Sequence, residues 1–331
     1  METKENQISI QPPRIMKAII AGFNAVTNHI GLILFPILLD LLIWFGPQLR
    51  LDSLLSPFIE SANRTLLAYN AADMQQIVES SGEAWAIIID RLNLTSTLST
   101  FPIGIPSLIS GAGYKLSPLG SSLQFEISTF SIAVLSFLIL AAFGILIGSF
   151  YFNAVSRSTQ PEKTKLSFSN IISQVINSYG MILLMILVTV SLLIPGLFII
   201  SIFALFSPVL SQIVLLIVSF LLLWLLIPLV FSPHGIFTNQ LTVIHSISTS
   251  IRLVRAFLPS TGMFLLLAIL MAQGLDSLWL AAPDSSWLTL VGIIGHAFVY
   301  TSLLAASFVY YRQGLEWMEI NLKQLNKSVN I

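Results

Sequence analysis

The sequence contains no cysteine and very little charge. Without cysteine there is no disulfide framework, no thiol nucleophile and no cysteine-ligated metal. Only 9% of residues are charged and 55% are hydrophobic, against about 25% charged in an average soluble domain. A water-soluble fold is therefore close to excluded. The chain also lacks a P-loop, a dinucleotide glycine fingerprint, a His-Glu-x-x-His and a Gly-x-Ser-x-Gly. Its four histidines, His29, His234, His245 and His296, are scattered without ligand spacing. The expectation is a protein with no catalytic residues, no cofactor and no metal. The net charge of zero gives no basis for a nucleic-acid partner. Membrane lipid is the expected partner, beside a protein partner that the sequence does not identify.

What the chain has is apolar runs of about 20 residues, the length that crosses a hydrocarbon core. Residues 1–13 are polar and lack the pattern of a cleaved signal, so a flexible cytosolic tail is expected. Ile15, Ile19, Phe23, Val26 and Ile30 make a helical stripe, and a first span follows from Gly31 to about Leu49. Residues 50–127 are the only large non-spanning region. Within it Leu51–Tyr69 and Ala72–Leu94 read as two amphipathic helices. The stretch 99–111 is apolar but broken by Pro102, Gly104 and Pro106. It is either re-entrant, with its irregular backbone covered by protein, or an ordinary loop on the span ends, which is the simpler expectation.

A second span (128–153) leads to a short polar loop and a second stripe, Phe168, Ile171, Val175 and Tyr179 (154–178). Spans three and four occupy 179–231, with Pro195-Gly196 predicting a kink. Phe231-Ser232-Pro233-His234-Gly235 reads as a breaker. Leu241, Ile244, Ile247, Ile251, Val254 and Leu258 then form a third stripe (232–258), with His245, Ser248, Thr249, Arg252 and Arg255 off it. Such helices, each running into a span, are expected to lie in the headgroup layer as elbows. Asp276–Ser286 reads as a short loop between spans five and six (259–311), and 312–331 is a cytosolic amphipathic tail.

The three elbows look like copies of one unit. Val26-Thr27-Asn28-His29-Ile30-Gly31 aligns without gaps onto Val175-Ile176-Asn177-Ser178-Tyr179-Gly180, and Phe257-Leu258-Pro259-Ser260-Thr261-Gly262 follows the same plan. Each glycine would open a span. The expected fold is all-α and polytopic: six transmembrane helices in three elbow–hairpin repeats, with a helical extracytoplasmic insertion. Eleven Lys and Arg, among them Lys4, Lys163, Lys165, Lys323 and Lys327, fall on the side of the termini, against four on the other, Arg50, Arg64, Arg91 and Lys115. The positive-inside rule then makes the chain a multi-pass cell-membrane protein with both termini cytosolic and 50–127 outside.

Ionisable groups inside a bilayer are costly and are functional candidates by default. Asp40 lies about nine residues past Gly31, roughly 14 Å at ~1.5 Å per residue. His296 lies at a similar depth in the sixth span, and Gln273 on the fifth is nearer the outer side. Asp40, His296 and Gln273 are the candidate intramembrane polar site. The alternative is that each is satisfied locally and helps helices associate. Arg14, Lys17, Arg252 and Arg255 are candidate lipid-headgroup contacts.

The segment Ser250-Ile251-Arg252-Leu253-Val254-Arg255, together with Tyr310-Tyr311-Arg312 at the end of the last span, resembles a broad group of small integral membrane proteins. That group includes the membrane domain of some glycerophosphodiester phosphodiesterases and related bacterial six-span families. Ala256 stands where those proteins usually have Gly, and Asn239-Gln240 where they have an acid. An Asp often follows their tyrosines, where this chain has Arg312-Gln313. The resemblance implies the six-span plan. It implies no activity, because the phosphodiesterase barrel of such proteins is a separate domain without a counterpart here. The functional expectation is a non-enzymatic integral membrane protein that organises lipid or scaffolds a partner through its elbows and outer region. The alternative is a secondary transporter or permease using Asp40 and His296.

Overall fold

The computed structural model describes residues 13–67, 72–112, 116–120, 122–161 and 167–329. The expected N-terminal tail, Lys115, Lys163 and Lys165 thus lie outside the described residues. The fold is mostly helical, in the order α1 (Ile15–Asn28), a 3-10 turn (Ile30–Ile33), α2 (Leu34–Phe45), β1 (Gln48–Arg50), α3 (Asp52–Leu67), α4 (Ala72–Arg91), a 3-10 turn (Leu94–Leu98), α5 (Leu108–Ala112), β2 (Gln124–Glu126), α6 (Phe130–Ser158), α7 (Phe168–Phe206), α8 (Pro208–Leu226), α9 (Ser232–Asn239), α10 (Val243–Ala256), α11 (Leu258–Trp279) and α12 (Thr289–Val329). Among the described residues, five helical stretches are long and apolar enough to cross a membrane: Phe130–Ser158, Phe168–Phe206, Pro208–Asn239, Leu258–Trp279 and Thr289–Asn321. A sixth is reached if α1 and Ile30–Phe45, bent by 92° at their break, count as one span.

The chain divides into two compact units, one of 1–29, 152–270 and 301–331, the other of 30–151 and 271–300. In the first, α7 and α8 pair as a long hairpin closed at Ser207. Gly196 permits their approach, since a Cβ there would meet Val218 Cγ1 at 2.9 Å. No residue of α8 is buried, as expected of a helix whose apolar surface faces hydrocarbon. The expected breaker at Phe231–Gly235 instead begins α9. Pro233 sits in its first turn, where a missing N–H costs no helical bond. The helix stops at Gln240, whose φ of 53° is left-handed. Gly22 on α1 lies against the backbone of Ser302 and Ala306, with a Cβ clashing at 2.4 Å; only a glycine allows that closeness.

The second unit departs from the expected separate outer subdomain. Residues 50–127 are compact with α2, with α6 as far as Tyr151, and with residues 271–300. Two three-residue strands, absent from an all-α expectation, close the insertion at its base. They run parallel, with Gln48 opposite Gln124 and Arg50 opposite Glu126. Asn93 fastens this base, its Oδ1 accepting from Leu49 N–H (3.1 Å) and Thr95 N–H (3.0 Å). Helices α3 and α4 pair beyond it, close to the two that were expected.

The three elbows differ. The first is a separate helix with a sharp bend. The second is no elbow: α7 runs unbroken from Phe168 to Phe206, through Gly180 and Pro195. At 39 residues it spans roughly 58 Å at ~1.5 Å per residue, far beyond a ~30 Å core. The third, α10, is separated from α11 by Phe257 alone. The aligned glycines also differ in setting. A Cβ on Gly31 or Gly262 would meet nothing within 4 Å, whereas one on Gly180 would touch Val243.

Candidate functional site

Helix α10 presents three faces. The one that packs inward is hydroxyl-bearing: Ser246, Ser250, Leu253 and Val254 are buried. Ser250 Oγ donates to Pro228 O (2.7 Å) and accepts from Phe231 N–H (3.1 Å). Ser246 Oγ donates to Ser232 O. The bond from Phe231 N–H gives a partner to a donor at the start of α9 that the helix itself cannot satisfy. Asn177 of α7 accepts from Val243 N–H at 3.2 Å, capping α10 from outside. Leu253 packs on Gly314 of α12.

Apart from Val254, the apolar stripe lies off that packing face. Ile247, Ile251, Val254 and Leu258 line a cavity of about 480 Å³. Its other walls are Leu184, Met185 and Val188 of α7, Trp224 and Leu225 of α8, and Ile227, Pro228 and Leu229. Arg255 is the only charged residue among them. Its guanidinium makes no hydrogen bond or ion pair among the described residues, and it is exposed. Arg252, one turn back, reaches only Thr249 Oγ1 at 3.4 Å. On α1, Arg14 and Lys17 are likewise exposed. The volume falls within the usual ligand range of about 300–1,000 Å³. An apolar wall with one unpaired cation at its edge suits an amphiphile with an anionic head.

The residues of the two short motifs meet around Phe231. Its backbone N–H is held by Ser250, and its ring stacks on Tyr310 (centroids 5.7 Å, 24°) and contacts Tyr311 (6.1 Å). Tyr310 also stacks on Phe264 at 4.6 Å, and its hydroxyl donates to Ser260 (2.9 Å). Arg312 donates to Thr159 Oγ1 at 2.8 Å and to Thr159 O.

The intramembrane candidates belong to the second unit and divide into two networks. Asp40, fully buried, accepts from Ser107 Oγ (2.5 Å), Leu108 N–H (3.1 Å) and Ile109 N–H (3.1 Å). It thereby caps the first turn of α5 from α2. His296 pairs instead with Asp276, Nδ1 to Oδ1 at 2.7 Å. Tyr300, on the same face of α12 one turn along, donates to Asp276 Oδ2 at 2.7 Å. Gln273 Nε2 donates to Tyr300 at 3.4 Å. Asp40 and His296 share no hydrogen bond or ion pair among the described residues. His296 Nε2, Trp279 Nε1 and Thr289 Oγ1 are buried without a partner among the described residues.

Sequence reasoning missed Asp276, Tyr300 and Ser107. Asp276 was expected in a loop, yet α11 continues to Trp279. The pair His296 and Tyr300, four residues apart, was the available signal for a shared acceptor. The spacing Gly144-x-x-x-Gly148 was the signal for close packing on α6. No family model, curated protein or solved structure matches this chain.

Proposed function

We propose that this chain is a non-enzymatic multi-pass membrane protein that holds an anionic lipid at the cytosolic leaflet, in the cavity beside α10. The observation that carries the reading is the division of labour on that helix. Serines pack it onto the protein, so its apolar stripe is free to line a cavity edged by Arg255. An acyl chain against the stripe and a phosphate or carboxylate at the guanidinium would satisfy both surfaces. Arg14 and Lys17 would add headgroup contacts from α1. The proposed placement is six spans, both termini cytosolic, with the insertion outside. The proposed kinship is with the membrane-domain families named above, through the packing of Ser250 and the paired tyrosines on Phe231.

The test is retention of lipid by the purified chain from mixed anionic and zwitterionic bilayers. Preferential retention of an anionic lipid, weakened by Arg255→Gln, supports the reading. Indifference to headgroup charge counts against it.

A second reading, a proton-linked permease, is favoured by the chain Gln273–Tyr300–Asp276–His296 and its unpartnered Nε2. It requires pH-gradient-driven solute uptake in proteoliposomes that His296→Gln abolishes.

A further inference from the structure

We infer that residues 94–112 re-enter the membrane from the side of the insertion and are anchored within it by Asp40. The ordinary surface loop, the simpler expectation from sequence, does not fit four independent features.

The first is depth along α6. A Cβ on Gly144 would lie 2.6 Å from Leu98 O, and one on Gly148 would lie 2.6 Å from Gly104 Cα. The segment therefore rests directly on these two glycines. They come 14 and 18 residues after Phe130, which opens α6 next to the insertion. That is roughly 21 and 27 Å along the helix axis at ~1.5 Å per residue, the middle of a 29-residue helix.

The second is depth along α2. Asp40, which holds Ser107, Leu108 and Ile109, sits five residues inside the Phe45 end of that helix, roughly 8 Å down at ~1.5 Å per residue. Both contacts set the segment against the interior of these helices and not at their ends.

The third is polar satisfaction. Backbone away from water must find partners in protein. Here Ser99 Oγ donates to Ile105 O (2.7 Å), Thr100 Oγ1 to Ile103 O (2.6 Å) and Ser110 Oγ to Ser96 O (3.4 Å). The segment thus uses its own hydroxyls, plus one carboxylate, where a surface loop would use water.

The fourth is composition. No Asp, Glu, Lys or Arg occurs from Leu92 to Tyr114. Ile103, Ile105, Leu108 and Ile109 are buried, while Phe101 at the turn is 88% exposed. An outward phenylalanine flanked by no charge suits hydrocarbon and not water.

The natural absence of cysteine allows a clean test on the full-length chain. Phe101→Cys is reconstituted in vesicles and treated with a membrane-impermeant maleimide. Ser61→Cys, exposed on α3, is the water-facing control. Re-entry predicts labelling of the 101 thiol slower by on the order of ten-fold or more, because it faces hydrocarbon and stays protonated, with full labelling once the protein is denatured in detergent. Equal rates at both positions would overturn re-entry. Asp40→Ala in the Phe101→Cys background should then raise impermeant labelling while the control rate stays unchanged. Gly148→Leu, which fills the space of Gly104, should do the same by a second route. Protection retained in both variants would overturn the anchoring.

Discussion

Asp40 and Arg255 are both candidates on the sequence, and the fold treats them in opposite ways. Asp40 is enclosed, and three donors of its own chain converge on it. A buried carboxylate with that many partners is largely committed to its own chain. Arg255 is exposed at the rim of an apolar cavity and makes no hydrogen bond or ion pair among the described residues. A charge in a membrane protein is informative less by its depth than by whether its own chain has already used it. By that measure Asp40 builds the protein and Arg255 awaits something else. The pair Asp276–His296 falls between them, bonded on one side and with Nε2 unpartnered on the other.

The contrast can be broken by substitution. The largest effect is expected from Asp40→Ala, which strands a hydroxyl and two backbone N–H groups in a buried place. A loss of about 3–5 kcal/mol is expected for removing one side of such an arrangement, read as thermal aggregation in detergent. A loss under about 1 kcal/mol would mean that Asp40 is not committed as described. Gly148→Leu should follow, at roughly 1–3 kcal/mol for overpacking against Gly104, by the same assay. Tyr300→Phe removes one hydrogen bond to Asp276 and should cost about 1 kcal/mol. Its sharper readout is solute uptake, which the permease reading expects to fall and the lipid reading expects to stay unchanged. Arg255→Gln should leave stability within about 0.5 kcal/mol yet reduce bound anionic lipid. If Arg255→Gln unfolded the chain, the contrast with Asp40 would collapse.

Much of the architecture was legible because long apolar runs are dictated by the hydrocarbon thickness. Long apolar helices stand after residue 128, where apolar runs were read, although α7 runs on through the expected second elbow. What was not legible depends on contacts distant in sequence. Ser246 and Ser250 belong to the packing face of α10 because they bond Ser232 and Pro228, which no periodicity reveals. The apolar stripe was expected to face the membrane, and periodicity gave no sign that part of it lines a cavity within the protein. The repeat rested on aligned glycines whose surroundings differ, so their spacing alone could not fix a shared bend. Asp40 stands among apolar neighbours in sequence, but the Ser107 hydroxyl that it accepts from lies 67 residues away, beyond any local pattern.

The measurement that bears most directly on the lipid reading is native mass spectrometry of the chain released from bilayers of mixed anionic and zwitterionic lipid. The account predicts an anionic lipid carried preferentially by the wild-type chain and largely lost from Arg255→Gln at equal fold stability. Equal retention of both lipid classes, or the same retention in both proteins, would contradict it.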